Sequence, residues 1–201
     1  MALDQALLET SSVPLLRVYG WNQPHISIGY RHSLSELVGL PAWPIVRRWT
    51  GGGVVLHDND CTYSLILPRS DAFSRKSSVD IYRELHGSLA QLLGEQQQLP
   101  YQIAPSDFEA GVRCFIGWSC SDILLYQRKV GGAGHRRCQW GLLHQGSLHC
   151  GQLSETFWQM VAQRWSTQVE QIYQLPAEIL DRARQLQEQR YSNKEWLELR
   201  S

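Results

Sequence analysis

Apolar positions change their spacing several times along the chain, and the changes divide it into elements. From Ala2 to Thr10, Leu3, Ala6, Leu7 and Leu8 fall on one side of a helical projection, so a short amphipathic helix is expected, broken by Ser11 and Ser12. LLRVYGW then reads as a strand and ISIGY, after Pro24, as a second, with WNQP between them as a hairpin connection. A short helix over Leu34 to Leu40 is expected, closed by Gly39, Pro41 and Pro44. PIVRRWT predicts the next strand, VVLHD a short one, and CTYSLILP, from Cys61 to Pro68, another.

Ser77 and Asp80 form a capping pattern ahead of Tyr82, Leu85, Leu89, Leu92 and Leu93, which recur at helical spacing. Pro100 lies beyond the end of this helix, whose apolar side is expected to cover one face of a sheet. Between Tyr101 and Cys150 the pattern is β-rich. SDILLYQRK and GLLHQGSLHC are predicted to pair antiparallel, joined through the glycine-rich VGGAGHRR. After Ser154 the pattern turns helical, with a cap at Ser154, a helix start at Pro176 and a capping box of Ser192 with Glu195. Strand runs with helices inserted predict an α+β fold of mixed, largely antiparallel sheets flanked by helices. The whole chain, 1–201, reads as one domain whose helical part begins at about 154.

Composition narrows the function classes. With 19 basic and 19 acidic side chains the net charge is zero, which argues against duplex nucleic acid or an anionic membrane as partner. No apolar run approaches the roughly 20 residues that span a bilayer. MALDQALLET carries acids and lacks a basic leader region, so it does not read as a signal peptide. Five cysteines at irregular spacing suggest reduced thiols and a cytoplasmic protein.

The candidate chemistry centres on RRWTGGGVVLHD, Arg47 to Asp58. Three consecutive glycines are entropically costly, so Gly51, Gly52 and Gly53 suggest a backbone on which a flat or charged group lies, in competition with a plain bulge. Arg47 and Arg48 beside them favour a ligand, and Thr50 opens the turn. No Lys-Ser or Lys-Thr follows at P-loop spacing. His57 and Asp58 are adjacent on a strand and point to opposite faces, so His57 is read as a structural or pocket-lining residue. RKVGGAG places Lys129 at the mouth of a second glycine-rich turn, where it is either a fixed positive charge or a solvated surface lysine. Cys114, next to Arg113, is either an activated thiol or a small buried hydrophobe. Cys138, His144, His149 and Cys150 lack zinc-ligand spacing, and no metal site is expected.

Taken in order, these blocks resemble the family of lipoate–protein ligases and octanoyl- or lipoyltransferases, whose catalytic fold is shared with biotin–protein ligases. MALDQALLE looks like the family's opening helix, RRWTGGGVVLHD like its arginine–glycine–histidine block, RKVGGAG like its lysine block and GLLHQGSL like the strand that follows. The resemblance implies a catalytic domain with a pocket for an octanoyl or lipoyl group, lined by Arg47, Arg48, Thr50, Gly51, Gly52, Gly53, His57, Gly131 and Ala133. It puts Lys129 at the acyl carbonyl. Within the family, RCFIGWSCSDI resembles the loop of the cysteine-type transferases, with Cys114 at the nucleophile and Ser119 and Asp122 following. HDNDCTYS also reads like the transferase version, and the accessory domain of bacterial ligases is not expected. Gly53 is ligase-like and departs from the cysteine transferases, the Gly131-Gly132-Ala133 run departs from the lysine block's more usual Gly-Ser-Ala, and Cys120 is a second candidate nucleophile. The implied reaction moves the acyl group from acyl carrier protein to a lysine of a lipoyl domain, in a 2-oxoacid dehydrogenase or the glycine cleavage H protein, without a cofactor. The alternatives are an ATP- and Mg2+-dependent lipoate ligase and a non-catalytic binding module.

Overall fold

The structure, a computed structural model, describes residues 1–105 and 119–199. In chain order the elements are α1 (Ala2–Thr10), β1 (Leu15–Tyr19), β2 (His25–Ile28), β3 (Ile45–Arg47), β4 (Val54–His57), β5 (Cys61–Pro68), α2 (Ser78–Gln97), β6 (Tyr101–Ile103), β7 (Ile123–Leu125), β8 (Arg128–Cys138), β9 (Gly141–Leu148), α3 (Glu155–Gln163), α4 (Ala177–Leu186) and α5 (Lys194–Leu197). The fold is α+β, as the strand and helix pattern predicts. A six-stranded sheet runs β1-β5-β9-β8-β7-β6 with every neighbouring pair antiparallel. A three-stranded sheet, β3-β2-β4, pairs β2 parallel with β3 and antiparallel with β4.

Strand alternation sorts the core. On one face of the large sheet Tyr63, Leu65, Leu67, Leu142 and Leu148 pack under Leu85, Leu89 and Leu93 of α2 and Phe157 of α3. On the other face Ile66 and Leu143 meet Leu7 and Leu8 of α1 and Trp49 after β3. Because β9 is covered on both faces, all eight of its residues are buried. Ser77 and Ser154 cap α2 and α3 with their hydroxyls, and α4 starts after Pro176, as expected from the sequence.

Four expectations are corrected. β1 does not form a hairpin with β2: it pairs with β5, and β2 crosses into the small sheet. The helix expected over Leu34 to Leu40 is a single 3-10 turn, Leu34–Glu36. The cap of the last helix is Asn193 rather than Ser192. Most consequentially, VGGAGHRR is not a turn. β8 runs straight through it and lies between β7 and β9, which therefore do not pair. The actual turn is Tyr126-Gln127, with φ of 49° and 63°. Such two-residue hairpins favour Asn and Gly, so this one carried no compositional signal.

Candidate functional site

The glycine turn Gly51–Gly53 leaves the end of β3 and lies against β8. A Cβ on Gly134 would overlap the Gly51 carbonyl, and one on Gly29 would overlap the Gly52 carbonyl. These glycines, outside the triple, are what let the turn sit flush on its neighbours. Within it, Gly52 takes a φ of +93°, which side chains rarely adopt.

Arg48 holds the turn from inside. Its Nη2 donates to the Gly51 and Gly53 carbonyls at 3.0 Å each, and its Nη1 donates to the Ser27 carbonyl at 2.9 Å and the Ser27 hydroxyl at 2.8 Å. Burial pulls its pKa down to about 10. Arg47 points elsewhere. Its guanidinium donates to the carbonyls of Gly29, Tyr30 and His32 and, from the C-terminal helix, of Trp196 and Leu197. The Thr50 hydroxyl donates to Gln145 Oε1 at 2.8 Å, and Gln145 in turn donates to Asp4 of α1 at 2.7 Å.

Lys129 lies near the start of β8, where the pairing with β7 shifts between Ile123 and Leu124. This bulge re-aims the side chain along the strand. Lys129 Nζ comes within 3.0 Å of the place a Gly132 Cβ would occupy and forms an ion pair with Asp122 Oδ2 at 2.8 Å. Asp122 is 7% exposed and also accepts the Ser119 N–H at 2.6 Å, whereas Lys129 is 45% exposed. The carboxylate is fixed and the ammonium reaches solvent. Gly132 and Gly134 are two residues apart, about 7 Å along the strand, so Lys129 Nζ and the glycine turn lie over the same face of β8.

Beside the turn is a pocket of about 320 Å³, lined by Tyr30, Trp49, Arg31, His135, Arg136 and the Gly51–Gly52 backbone. The Arg136 guanidinium stacks over Tyr30 and Trp49 at 4.8 and 4.6 Å, and its Nε is buried with no hydrogen-bond partner among the described residues. The wall is thus aromatic and cationic, suited to an anion or a polarised carbonyl.

His57 is 3% exposed and stacked on Trp21 at 4.2 Å. Its acidic partner is Asp60, with Nδ1 2.8 Å from Oδ2, and not the neighbouring Asp58. Burial holds the imidazole below its usual pKa, against the pull of Asp60. For Asp60 burial acts upward, but the hydrogen bonds from His57, Ser147 and Thr62 outweigh it and hold the carboxyl below the usual range. Gly131 packs in the core against Ile123 and Leu148, and the Ala133 carbonyl accepts the Tyr82 hydroxyl at 3.3 Å. Cys114 lies outside the described residues. Cys120, partly buried, is a free thiol whose sulfur is 3.5 Å from the Ser121 hydroxyl.

Comparison with known proteins gives this geometry its context. The family model of the lipoyl protein ligase A/B catalytic domain matches residues 1–192. The chain belongs to that family. As a lipoyl protein ligase A/B domain it is 33% identical over 165 residues to octanoyltransferase LipM of Geobacillus kaustophilus, covering 74% of this chain and 59% of the relative. It is 30% identical to octanoyltransferase LipM of Staphylococcus aureus, covering 74% and 60%. The chain thus spans about three-fifths of the length of the curated relatives it matches. Among solved structures, a lipoate-protein ligase A bound with ATP has a TM-score of 0.77 at 17% identity, covering 100% of this chain and 93% of that one. The bi-partite lipoate protein ligase of Thermoplasma acidophilum, studied with its E2 lipoyl domain, scores 0.62 at 17% identity, covering 100% and 91%. These two likenesses establish the fold.

Two groups of this lipoyl protein ligase A/B domain escaped the sequence reading as working partners. Asp60 returns to His57 through Asn59, at φ 63°, and only the Asn hinted at such a turn. Ser27 reaches His57 Nε2 at 2.7 Å across the β2–β4 pair, which no local pattern reveals.

Proposed function

We propose that this protein is a protein-lipoylation acyltransferase. It takes an octanoyl or lipoyl group from acyl carrier protein and passes it to a lysine of a lipoyl domain. The observation that carries the reading is the half-exposed Lys129 ammonium, anchored by Asp122 and set beside the glycine turn on one face of β8. The similarity to proteins named octanoyltransferase supports the acyl chemistry.

In this reading Cys114 is the nucleophile. Its thiolate attacks the thioester carbonyl carbon, Lys129 stabilises the oxyanion, and the carrier sulfur leaves as a thiolate that takes up a proton. The acceptor lysine, as free amine, then attacks the acyl-cysteine. The C–N bond forms, the C–S bond to Cys114 breaks, and the amine proton neutralises the departing thiolate. Neither step needs ATP. The aromatic and cationic pocket by Gly51 and Gly52 is the candidate acyl-donor surface, and lipoyl domains of 2-oxoacid dehydrogenases or of the glycine cleavage H protein are the acceptors.

One observation favours a second reading, an ATP-dependent lipoate ligase. Arg31, His135 and Arg136 beside a glycine backbone suit a phosphate, and the ATP-bound ligase has the same fold. In that reading Asp122, paired here with Lys129, would be the carboxylate that holds a magnesium ion, which would supply charge neutralisation. Both readings are tested by offering octanoyl–acyl carrier protein alone, or lipoate with ATP and magnesium, to the protein with a lipoyl domain as acceptor. Acylation from the first donor without nucleotide is expected. Acylation only from the second, with pyrophosphate release, would overturn the transferase reading.

A further inference from the structure

A continuous line of buried hydrogen bonds leads from Asp60 to the glycine turn. Asp60 Oδ2 receives three donors: His57 Nδ1 at 2.8 Å, the Thr62 hydroxyl at 3.0 Å and the Ser147 hydroxyl at 2.6 Å. A carboxylate only accepts, so Nδ1 of His57 carries a proton, and in the neutral imidazole that burial favours Nε2 presents a lone pair. Nε2 is 2.7 Å from the Ser27 hydroxyl, which must therefore donate to it. Ser27 Oγ in turn accepts from Arg48 Nη1 at 2.8 Å, and Arg48 Nη2 donates to the Gly51 and Gly53 carbonyls. With His57 neutral, every link has one permitted direction. Ser27 is 0%, His57 3%, Arg48 6% and Asp60 9% exposed, so little water can substitute for a missing link.

The order serine–histidine–aspartate has the spacing of a hydrolytic triad, yet it cannot act as one. Ser27 has no exposed surface, and its oxygen is already accepting from Arg48. The polar line ends instead on the turn that faces Lys129.

We propose that Asp60, His57 and Ser27 are positioning residues. Their one-way relay fixes the orientation of Arg48, and Arg48 fixes the Gly51–Gly53 backbone against the acyl-carbonyl site. This rests on the acyl-transfer reading for its consequence in catalysis, but the relay itself is measurable without substrate. Trp21, stacked on His57 and donating to the Thr62 hydroxyl at 2.9 Å, closes the relay on its outer side.

The test uses the whole chain of residues 1–201. With nitrogen-15-labelled histidine, the wild-type His57 resonances should report the Nδ1–H tautomer, and Asp60→Asn, whose amide can donate to Nδ1, should switch them to Nε2–H. Asp60→Asn should then lower kcat by about tenfold or more with KM for the acyl donor within about threefold, and Asp60→Glu should restore much of kcat. Ser27→Ala leaves the His57–Asp60 pair and the bond from Arg48 to the backbone carbonyl of residue 27 in place, and removes the hydroxyl that joins His57 to Arg48. It should raise amide exchange over residues 50–53 by about tenfold while exchange in β5 and β9 stays unchanged. Unchanged exchange over 50–53 in Ser27→Ala, or unchanged kcat in an Asp60→Asn protein whose tautomer has switched, would overturn the relay. Should Asp60→Asn fail to fold, Ser27→Ala decides alone. Failure of the acyl-transfer reading shows differently: the wild type transfers no acyl group, while the tautomer and exchange results still stand or fall for the relay.

Discussion

Lys129 and Arg47 are both cations near the glycine turn, and the structure separates them by what they touch. Lys129 is half-exposed with one anchoring carboxylate, so its charge is available to a ligand. Lys129→Ala should therefore cost about 100-fold or more in transfer rate, as removal of an oxyanion-stabilising group does, with a thermal midpoint within a few degrees of wild type. Initial rates and a melting curve on the same preparation check both halves. Arg47 is 1% exposed and donates to backbone carbonyls, among them those of Gly29, Tyr30 and His32 and, in the C-terminal segment, Trp196 and Leu197. Arg47→Met should destabilise by about 3 kcal/mol or more by orphaning those carbonyls, and Arg47→Lys should not rescue, because an ammonium cannot match the planar fork. Denaturant unfolding measures it. The sequence presented the two arginines as equals. Only the β2–β3 pairing and the docking of Trp196 and Leu197 distinguish them, and both are tertiary.

At the scale of elements, β8 decides the site. The sequence pattern located its glycines but read them as a turn, because glycine is the commonest turn signal. Here the glycines serve close approach: Gly134 admits the Gly51 carbonyl, and Gly132 admits the Lys129 side chain. The two should respond differently to one methyl group. Gly134→Ala meets backbone and must push the glycine turn away, costing about 1–3 kcal/mol and most of the activity. Gly132→Ala meets the far end of Lys129, which can rotate into solvent, and one oxygen of the fixed Asp122 carboxylate, so its stability cost should be smaller than that of Gly134→Ala while the transfer rate falls. Equal loss of stability in both would contradict this account. The helices were legible where a local device specifies them, as with the Ser77 and Ser154 caps and the Pro176 start. The β1–β2 connection was not, since WNQP suits a hairpin equally well as a crossing between two sheets.

For the molecule as a whole, buried histidines set the response to acid. His57, His86 and His144 are each at most 3% exposed, and burial lowers all three pKa values. His86 donates its Nδ1 proton to the Ser121 carbonyl at 2.6 Å, while its Nε2 and His144 Nδ1 have no hydrogen-bond partner among the described residues. The unfolded chain, with histidines near about 6.5, takes up protons that the folded chain refuses. Stability is thus fully present above about pH 7 and is lost as pH falls below about 6.5, by about 1.4 kcal/mol per pH unit for each proton taken up. Urea unfolding at several pH values should show this slope, and His144→Leu should reduce it by about one proton. Ser121 precedes Asp122, so the same buried histidine also supports the anchor of Lys129. The family blocks of the site were legible because they are contiguous in sequence. The network that joins them was not, because Ser27, His57, Gln145 and Asp4 meet only through the sheets and α1.

The central claim is a covalent acyl-cysteine on the way to the amide. Mixing the protein with octanoyl–acyl carrier protein and weighing it intact tests that claim most directly. One octanoyl group on the wild type and none on Cys114→Ser is the expected result. No adduct on the wild type, or an adduct that survives Cys114→Ser, would contradict it.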